Sequence, residues 1–333
     1  MTHPAPHRVL YDTDPGVDDA MARDYALAHP DIKVLGVTTT FGNVTVAQAA
    51  CNALYLLALA GRGEIPVTQG VAAPLVKRGE APPQHIHGAD GLGNLPRRVV
   101  TNNKLDARTS AQFIVDMARQ HPGEITVVAV GPLGNLALAL AVEPQLPRLL
   151  RKVVTMGGAV LEPGNVSPVA EANIWNDPHA ADAVFTAGFD LTMVGLDVTH
   201  QVILPVSQFA QIARHHQHQA TDTLHHAVAF YANFYSNLYP DVAAIHGCFG
   251  HDVLAFVALT NPELFSTETG RVRVALDGLA QGQTMLRRKD IHYPQTGWGP
   301  EVPDTQVCIQ VQSPECKALI ESTLMSAWLG ACV

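Results

Sequence analysis

The sequence predicts an α/β protein: one domain on an open, mostly parallel sheet with helices on both faces. Three observations predict it. Short β-branched runs alternate with longer helical segments. Side chains able to do chemistry fall just past the ends of those runs. No repeat or low-complexity linker interrupts the alternation, so residues 1–333 read as a single domain.

In chain order, the first strand candidate is Val9–Asp12, followed by a helical stretch over Asp18–Ala28. Lys33–Thr38 and Thr45–Leu59 repeat the pair, and helix Thr109–Gln120 leads into strand Ile125–Val130. Lys152–Met156, helix Pro178–Ala187 and Leu191–Leu196 continue the pattern. Thr221–Tyr235 and Glu315–Ser326 are further helices, while Val272–Leu276 and Gln306–Val311 read as added edge strands. Asp12 and Asp14, Asn43, Val130–Gly131, Met156 and Asp197 all fall at or just after strand ends, where open sheets of this class bind ligands. They are expected to line one crevice.

Composition narrows the function. With 47% hydrophobic and 15% charged residues the chain can bury a sizeable core. Its formal net charge is −9, from 21 Lys and Arg against 30 Asp and Glu, without a cationic block, which argues against a nucleic-acid partner. No apolar run approaches the ~20 residues of a membrane-spanning helix. The N-terminal MTHPAPHR lacks the apolar centre of a signal peptide, so a cytoplasmic protein without a membrane partner is expected. Cys51, Cys248, Cys308, Cys316 and Cys332 form no Cys-x-x-Cys pair, and neither a zinc site nor a redox motif is indicated.

The decisive segment is Asp12-Thr13-Asp14-Pro15-Gly16-Val17-Asp18-Asp19, four carboxylates at a strand end and a helix start. A helix N-terminus favours negative charge by only about 0.3–1 kcal/mol, which cannot offset packing four like charges together. Either some of the acids protonate or a cation binds. Oxygen ligands without His or Cys select a hard ion, Ca²⁺ or Mg²⁺. One Asp would serve as a helix cap, which leaves three unexplained. Calcium prefers more oxygens than this segment offers, and Asp252, heading an apolar helical segment, is the candidate for a distant ligand, although such an Asp is more often a plain N-cap.

These residues carry a resemblance. Asp12 to Ala20, then Thr39-Thr40-Phe41-Gly42-Asn43, His85-Ile86-His87-Gly88, Met156-Gly157-Gly158, Ala170-Glu171-Ala172-Asn173-Ile174, Val194 to His200 and His251-Asp252 follow one another as in the inosine-uridine preferring nucleoside hydrolase family, which the chain resembles over most of its length. The resemblance implies hydrolysis of the N-glycosidic bond of ribonucleosides, inosine and uridine first. It implies Asp14, Asp19, Asp252 and the Val130 carbonyl as Ca²⁺ ligands, with Asp14 also the general base for a metal-bound water. Asp18 and Asn173 would bind the ribose diol, with Asn43 supporting them; Glu171 and Asn165 would receive the 5′-hydroxyl, and Met156 would pack near the sugar. His87 and His251 would lie on the base side, His251 as a proton donor to the leaving base. Tyr231 and Tyr235 resemble paired tyrosines of a helix near the base. A homodimer or homotetramer serving purine or pyrimidine salvage is the implied assembly and role.

The chemistry is consistent with that reading. Cleaving an N-glycosidic bond develops positive charge on the sugar, needs an activated water and a base for its proton, and needs help for the departing base. Each residue also has a plainer role: Asn43 in a turn, Glu171 and Asn173 as loop polar groups, Met156 and the two tyrosines in the core. His215, His216, His218, His225 and His226 read as a solvated face and not as a metal site. Val253 stands where many members have proline, and His246 is a further candidate to reach the base. A phosphatase of the Asp-x-Asp type is disfavoured by Pro15-Gly16 and the second Asp pair; the alternative that survives is a non-catalytic, calcium-dependent nucleoside or ribose binding protein.

Overall fold

A computed structural model describes residues 5–96, 98, 103–289, 291, 293–294 and 297–329; residues 1–4 of the N-terminal segment and Cys332 lie outside them. The described strands are β1 (His7–Thr13), β2 (Ile32–Thr39), β3 (Val67–Gln69), β4 (Ile125–Ala129), β5 (Lys152–Met156), β6 (Leu191–Val194), β7 (Ile203–Pro205), β8 (Gly247–Phe249), β9 (Phe265–Val274), β10 (Thr284–Leu286) and β11 (Asp304–Val311). Nine of them form one sheet in the order β10-β9-β11-β6-β5-β4-β1-β2-β3, and β7 pairs with β8 separately. From β11 to β3 every neighbouring pair is parallel; β9 and β10 join antiparallel.

The expected fold class holds, with helices on both faces. Strand side chains alternate between them: Val9, Tyr11, Val128 and Val154 enter one core, and Leu10, Val127, Ala129 and Val153 enter the other. The first core is covered by helices Val17–Ala28, Val46–Leu59, Val206–His216, Gln219–Ser236, Val253–Thr260 and Ser313–Leu324. The second is covered by Ser110–Gln120, Gly134–Val142 and Pro178–Phe185. Burial on both sides explains why β4 is an unbroken apolar run apart from the buried Thr126.

Two expectations are corrected. Neither late strand is an edge strand: β9, which contains Val272–Val274, lies between β10 and β11, and β11 lies between β6 and β9. The run expected to extend to Leu196 ends at Val194: Gly195 caps a short helix, Leu196–Thr199, whose backbone turns away from the sheet. Val253 opens helix Val253–Thr260 fully buried, so the apolar side chain takes the place of proline without loss of the helix.

Strand order positions the site. From β1 the chain builds outward through β2 and β3, then returns to the other side of β1 with β4. The connections leaving β1 and β4 therefore diverge, and their carboxyl ends, Thr13 and Ala129, border the opening where such sheets bind ligands.

The loop after β3 is tied to the opposite side of that opening by buried Asp177. Its carboxylate accepts from Ala180 N (3.1 Å), capping helix Pro178–Phe185, and from Leu75 N (2.9 Å). Asp177→Ala is expected to cost about 1–2 kcal/mol, the usual loss for a cap, read as a lower urea midpoint with an unchanged m-value. An unchanged midpoint would show that the loop is held by other contacts.

Candidate active site

The site begins where β1 stops. Pro15 and Gly16 turn the chain into helix Val17–Ala28, and Asp19 reaches back from its first turn. Its Oδ2 accepts from Gly16 N (2.8 Å) and from Asn43 Nδ2 (3.0 Å); its Oδ1 accepts from Asp14 N (3.2 Å) and from the Thr13 hydroxyl. Asp14 accepts from Asn43 N on Oδ2 (2.7 Å). Asn43 thus bridges two acids, using its backbone for one and its side chain for the other. Backbone on both sides closes on Asp14: a Cβ at Gly42 would lie 2.0 Å from Oδ2, and one at Gly131 2.6 Å from Oδ1.

Asp18 and Asp252 complete the cluster. Asp18 Oδ2 accepts from the Tyr231 hydroxyl (3.1 Å), and its Oδ1 lies 3.9 Å from His87 Nδ1. Asp18, Asp19 and Asp252 each offer an oxygen within 4.8 Å of the others, the one such group of metal-ligating side chains among the described residues. Asp14 Oδ1, Asp18 Oδ1 and Asp252 Oδ2 are buried with no hydrogen-bond partner among those residues.

Burial pushes all four carboxyls up. Asp18 and Asp19 rise to about 6, Asp19 further lifted by the charge of Asp18. Asp14 and Asp252 rise well above the usual range, through burial and then neighbouring aspartates. Among the described residues no Lys or Arg lines the cavity to compensate. An all-oxygen donor set with excess negative charge and orphaned lone pairs fits a hard divalent cation, and the cluster is able to hold one.

Above the cluster opens a cavity of about 530 Å³. It brings together Asp18, Asn43, His87, Val130, Met156, Asn165, Glu171, Asn173, Tyr231, Tyr235, His251 and Asp252. Asp14 and Asp19 lie fully buried, joined to that wall through Asn43. Glu171 caps helix Ala172–Asn176 and accepts from Gly158 N (2.9 Å), Asn173 N (2.9 Å) and Ile174 N (3.2 Å). Asn165 Oδ1 accepts from Ala172 N (3.0 Å), and Asn173 Nδ2 donates to the carbonyls of Val130 (2.8 Å) and Met156 (3.2 Å).

The opposite wall is aromatic. Tyr231 OH pairs with Tyr235 OH (3.1 Å), Tyr235 OH with His251 Nε2 (3.0 Å), and His251 Nδ1 with Thr199 Oγ1 (2.8 Å). His87 Nδ1 accepts from Val17 N (3.3 Å), which puts the neutral ring's proton on Nε2; burial lowers its pKa to about 4.

Some expectations fail. Asp12 does not line the crevice: its side chain points into the second core face, where Thr38 Oγ1 (2.5 Å) and Asn135 Nδ2 (2.7 Å) donate to it. Asp197 is likewise committed, accepting from the backbone of Val160 (3.0 Å), Leu161 (2.6 Å) and Glu162 (3.0 Å). His246 is exposed at the end of helix Pro240–Ile245, outside the cavity lining. Within the His-rich run, His216, half-buried, bonds the Leu324 carbonyl through Nε2 (2.7 Å) and so anchors its helix, while His226 is exposed and bonds the Gly93 carbonyl through Nε2 (3.0 Å).

Sequence reasoning missed Thr13 and Thr199, although both stand inside motifs it quoted. It also missed the cavity walls formed by Phe41, Phe234 and Trp175 and by the segment from Glu80 to Pro83. Phe234 beside Tyr235 was a usable signal. The Pro82-Pro83 loop carried none, since nothing in its pattern says which way it folds back.

Sequence and fold both match known proteins. The family model for inosine-uridine preferring nucleoside hydrolases matches residues 9–318. A probable uridine nucleosidase 1 of Oryza sativa subsp. japonica is 37% identical over 323 residues, covering 96% of this chain and 97% of the relative. The solved structure of a plant nucleoside hydrolase superposes with a TM-score of 0.90 at 36% identity, covering 97% of this chain and all (100%) of that one. A purine-preferring ribonucleoside hydrolase from Gardnerella vaginalis gives 0.87 at 31% identity, with 96% and 98% covered. With family match, full-length relatives and fold in agreement, the chain belongs to the inosine-uridine preferring nucleoside hydrolase family and is a hydrolase that acts on ribonucleosides.

Proposed function

We propose that this chain hydrolyses the N-glycosidic bond of ribonucleosides to free base and ribose, with Asp14 as general base and Ca²⁺ as cofactor. The observation that carries this reading is the set of three buried oxygens, on Asp14, Asp18 and Asp252, that have no hydrogen-bond partner among the described residues, beside a cavity that no described Lys or Arg lines. Asp14, Asp19, Asp252 and the Val130 carbonyl are the proposed ligands. Asn173 Nδ2 takes one lone pair of that carbonyl and leaves the other. A hard dication held there would acidify a water and would screen the carboxylates from one another.

The residues do the rest. Asn43 N–H holds Asp14 Oδ2, which leaves Oδ1 to accept the proton of the attacking water. Asp18 and Asn173 take the ribose diol with Asn43 in support, Glu171 and Asn165 take the 5′-hydroxyl, and Met156 packs beside the sugar. As the bond from C1′ to the base nitrogen breaks, its electron pair leaves with the base and the carboxylates stabilise the charge growing on the sugar. His251 in its protonated form donates the Nε2 proton to the departing base and is left as the neutral ring. Tyr231 and Tyr235 hold the base side, and His87 offers a neutral Nε2–H donor there. Attack opposite the base inverts C1′. Family membership supports the rest of the reading, a cytoplasmic homodimer or homotetramer in nucleoside salvage.

Reducing-sugar release from inosine, adenosine, guanosine, uridine and cytidine tests the reaction and ranks the bases. Their 2′-deoxy counterparts are expected to lose about 10⁴-fold in kcat/KM, because a site built to bond a hydroxyl rejects the analogue that lacks it. Nucleoside binding without sugar release would turn the reading into that of a binding protein. Asp14→Asn should lower kcat by about 10²–10⁴-fold, the usual contribution of a general base; near-native turnover would remove Asp14 from that role.

A further inference from the structure

The segment from Gly195 to His200 joins two parts of the site that the mechanism uses separately. Helix Leu196–Thr199 is fastened to the loop after β5 by Leu196 N to Gly158 O (2.9 Å) and by the three backbone bonds to Asp197. His200, next in sequence, bonds Glu162 through Nδ1 (3.2 Å) and stacks on Phe249 with ring centroids 4.5 Å apart. The same loop carries Asn165 into the cavity. Out of the other side of this anchored turn, fully buried Thr199 presents its hydroxyl to His251 Nδ1 at 2.8 Å.

The hydrogen-bond directions follow from the chain's far end. Asp18 Oδ2 accepts from Tyr231, so the phenolic proton of Tyr231 is spent there and its oxygen is free to accept from Tyr235. Tyr235 oxygen then accepts from His251 Nε2–H; Nδ1 of the neutral ring accepts from the Thr199 hydroxyl, and Nδ1–H of the protonated ring donates to the Thr199 oxygen. Nε2, beside cavity-lining Tyr235, is the nitrogen on the substrate side; Thr199 does not line the cavity.

We propose that Thr199 is a positioning residue for base departure: anchored by the Asp197 bracket, its hydroxyl holds the His251 ring in the orientation that presents Nε2–H to the departing base. A partner on the far nitrogen of a working imidazole fixes the ring's orientation, and a hydroxyl does so in either protonation state. This inference rests on the proposed role of His251.

The test compares kcat for inosine and uridine with kcat for 4-nitrophenyl β-D-ribofuranoside, whose phenolate leaves without being protonated. Thr199→Val keeps the shape and removes the hydroxyl. It should lower kcat for the nucleosides by about 10–100-fold, as loss of an orienting partner does, and leave the aryl riboside near the native rate. Thr199→Ser should restore nucleoside turnover. Thr199→Ala serves if the valine variant is poorly folded. Equal loss on both substrates, or no loss on either, overturns the proposal. His251→Ala separates the two levels: if it does not spare the aryl riboside either, the role of His251 fails; if it does and Thr199→Val does not, only the inference about Thr199 fails.

Discussion

The structure depends on the repulsion among four carboxylates buried at the carboxyl end of the central strand. Asp14, Asp18, Asp19 and Asp252 are all buried, and the charges of the first three raise the cost of ionising Asp252. Such a cluster persists only if donors, protons or a cation offset it. Asp19 shows the first solution, four hydrogen bonds from Thr13, Asp14, Gly16 and Asn43. The oxygens left without donors, on Asp14, Asp18 and Asp252, show what remains to be offset.

The surrounding fold serves that cluster. β1 lies between β2 and β4 at the reversal of strand order, so the first acids emerge into an opening already framed by two diverging connections. Asp252 arrives from the far end of the chain because helix Val253–Thr260 packs its apolar length into the core over β1, with Phe256 against Tyr11 at 5.2 Å. The second half of the cavity is lined by Tyr231 and Tyr235, one turn apart on a long helix, whose hydroxyls link Asp18 to His251. Sugar side and base side are thus physically continuous.

Much of this was legible in the sequence, for identifiable reasons. Parallel strands buried on both faces leave plain β-branched runs, so β1, β2, β4 and β5 were found within a few residues. Three-residue strands such as β3, β7 and β8 are too short to show a period, and the turn at Leu196–Thr199 was hidden inside an apolar run. The acid cluster was legible because its charge density has no ordinary explanation. Asp12 belonged to the same cluster in sequence but not in space, since its side chain enters the opposite core face, where Thr38 and Asn135 both donate to its Oδ1. Thr199 could not be singled out because a threonine on a short helix acquires its partner only when residue 251 folds against it.

The measurement that bears most directly on the cluster is calcium binding by the intact protein after exhaustive chelation, followed by equilibrium dialysis and thermal unfolding. The account predicts about one Ca²⁺ per chain, as a single oxygen-ligand site would take, and a stabilisation of about 2.7 kcal/mol at a hundredfold excess over Kd. Asp252→Asn should weaken both. Absence of bound calcium together with an unshifted unfolding midpoint would contradict it, and would mean that protons rather than a cation resolve the crowding of the four acids.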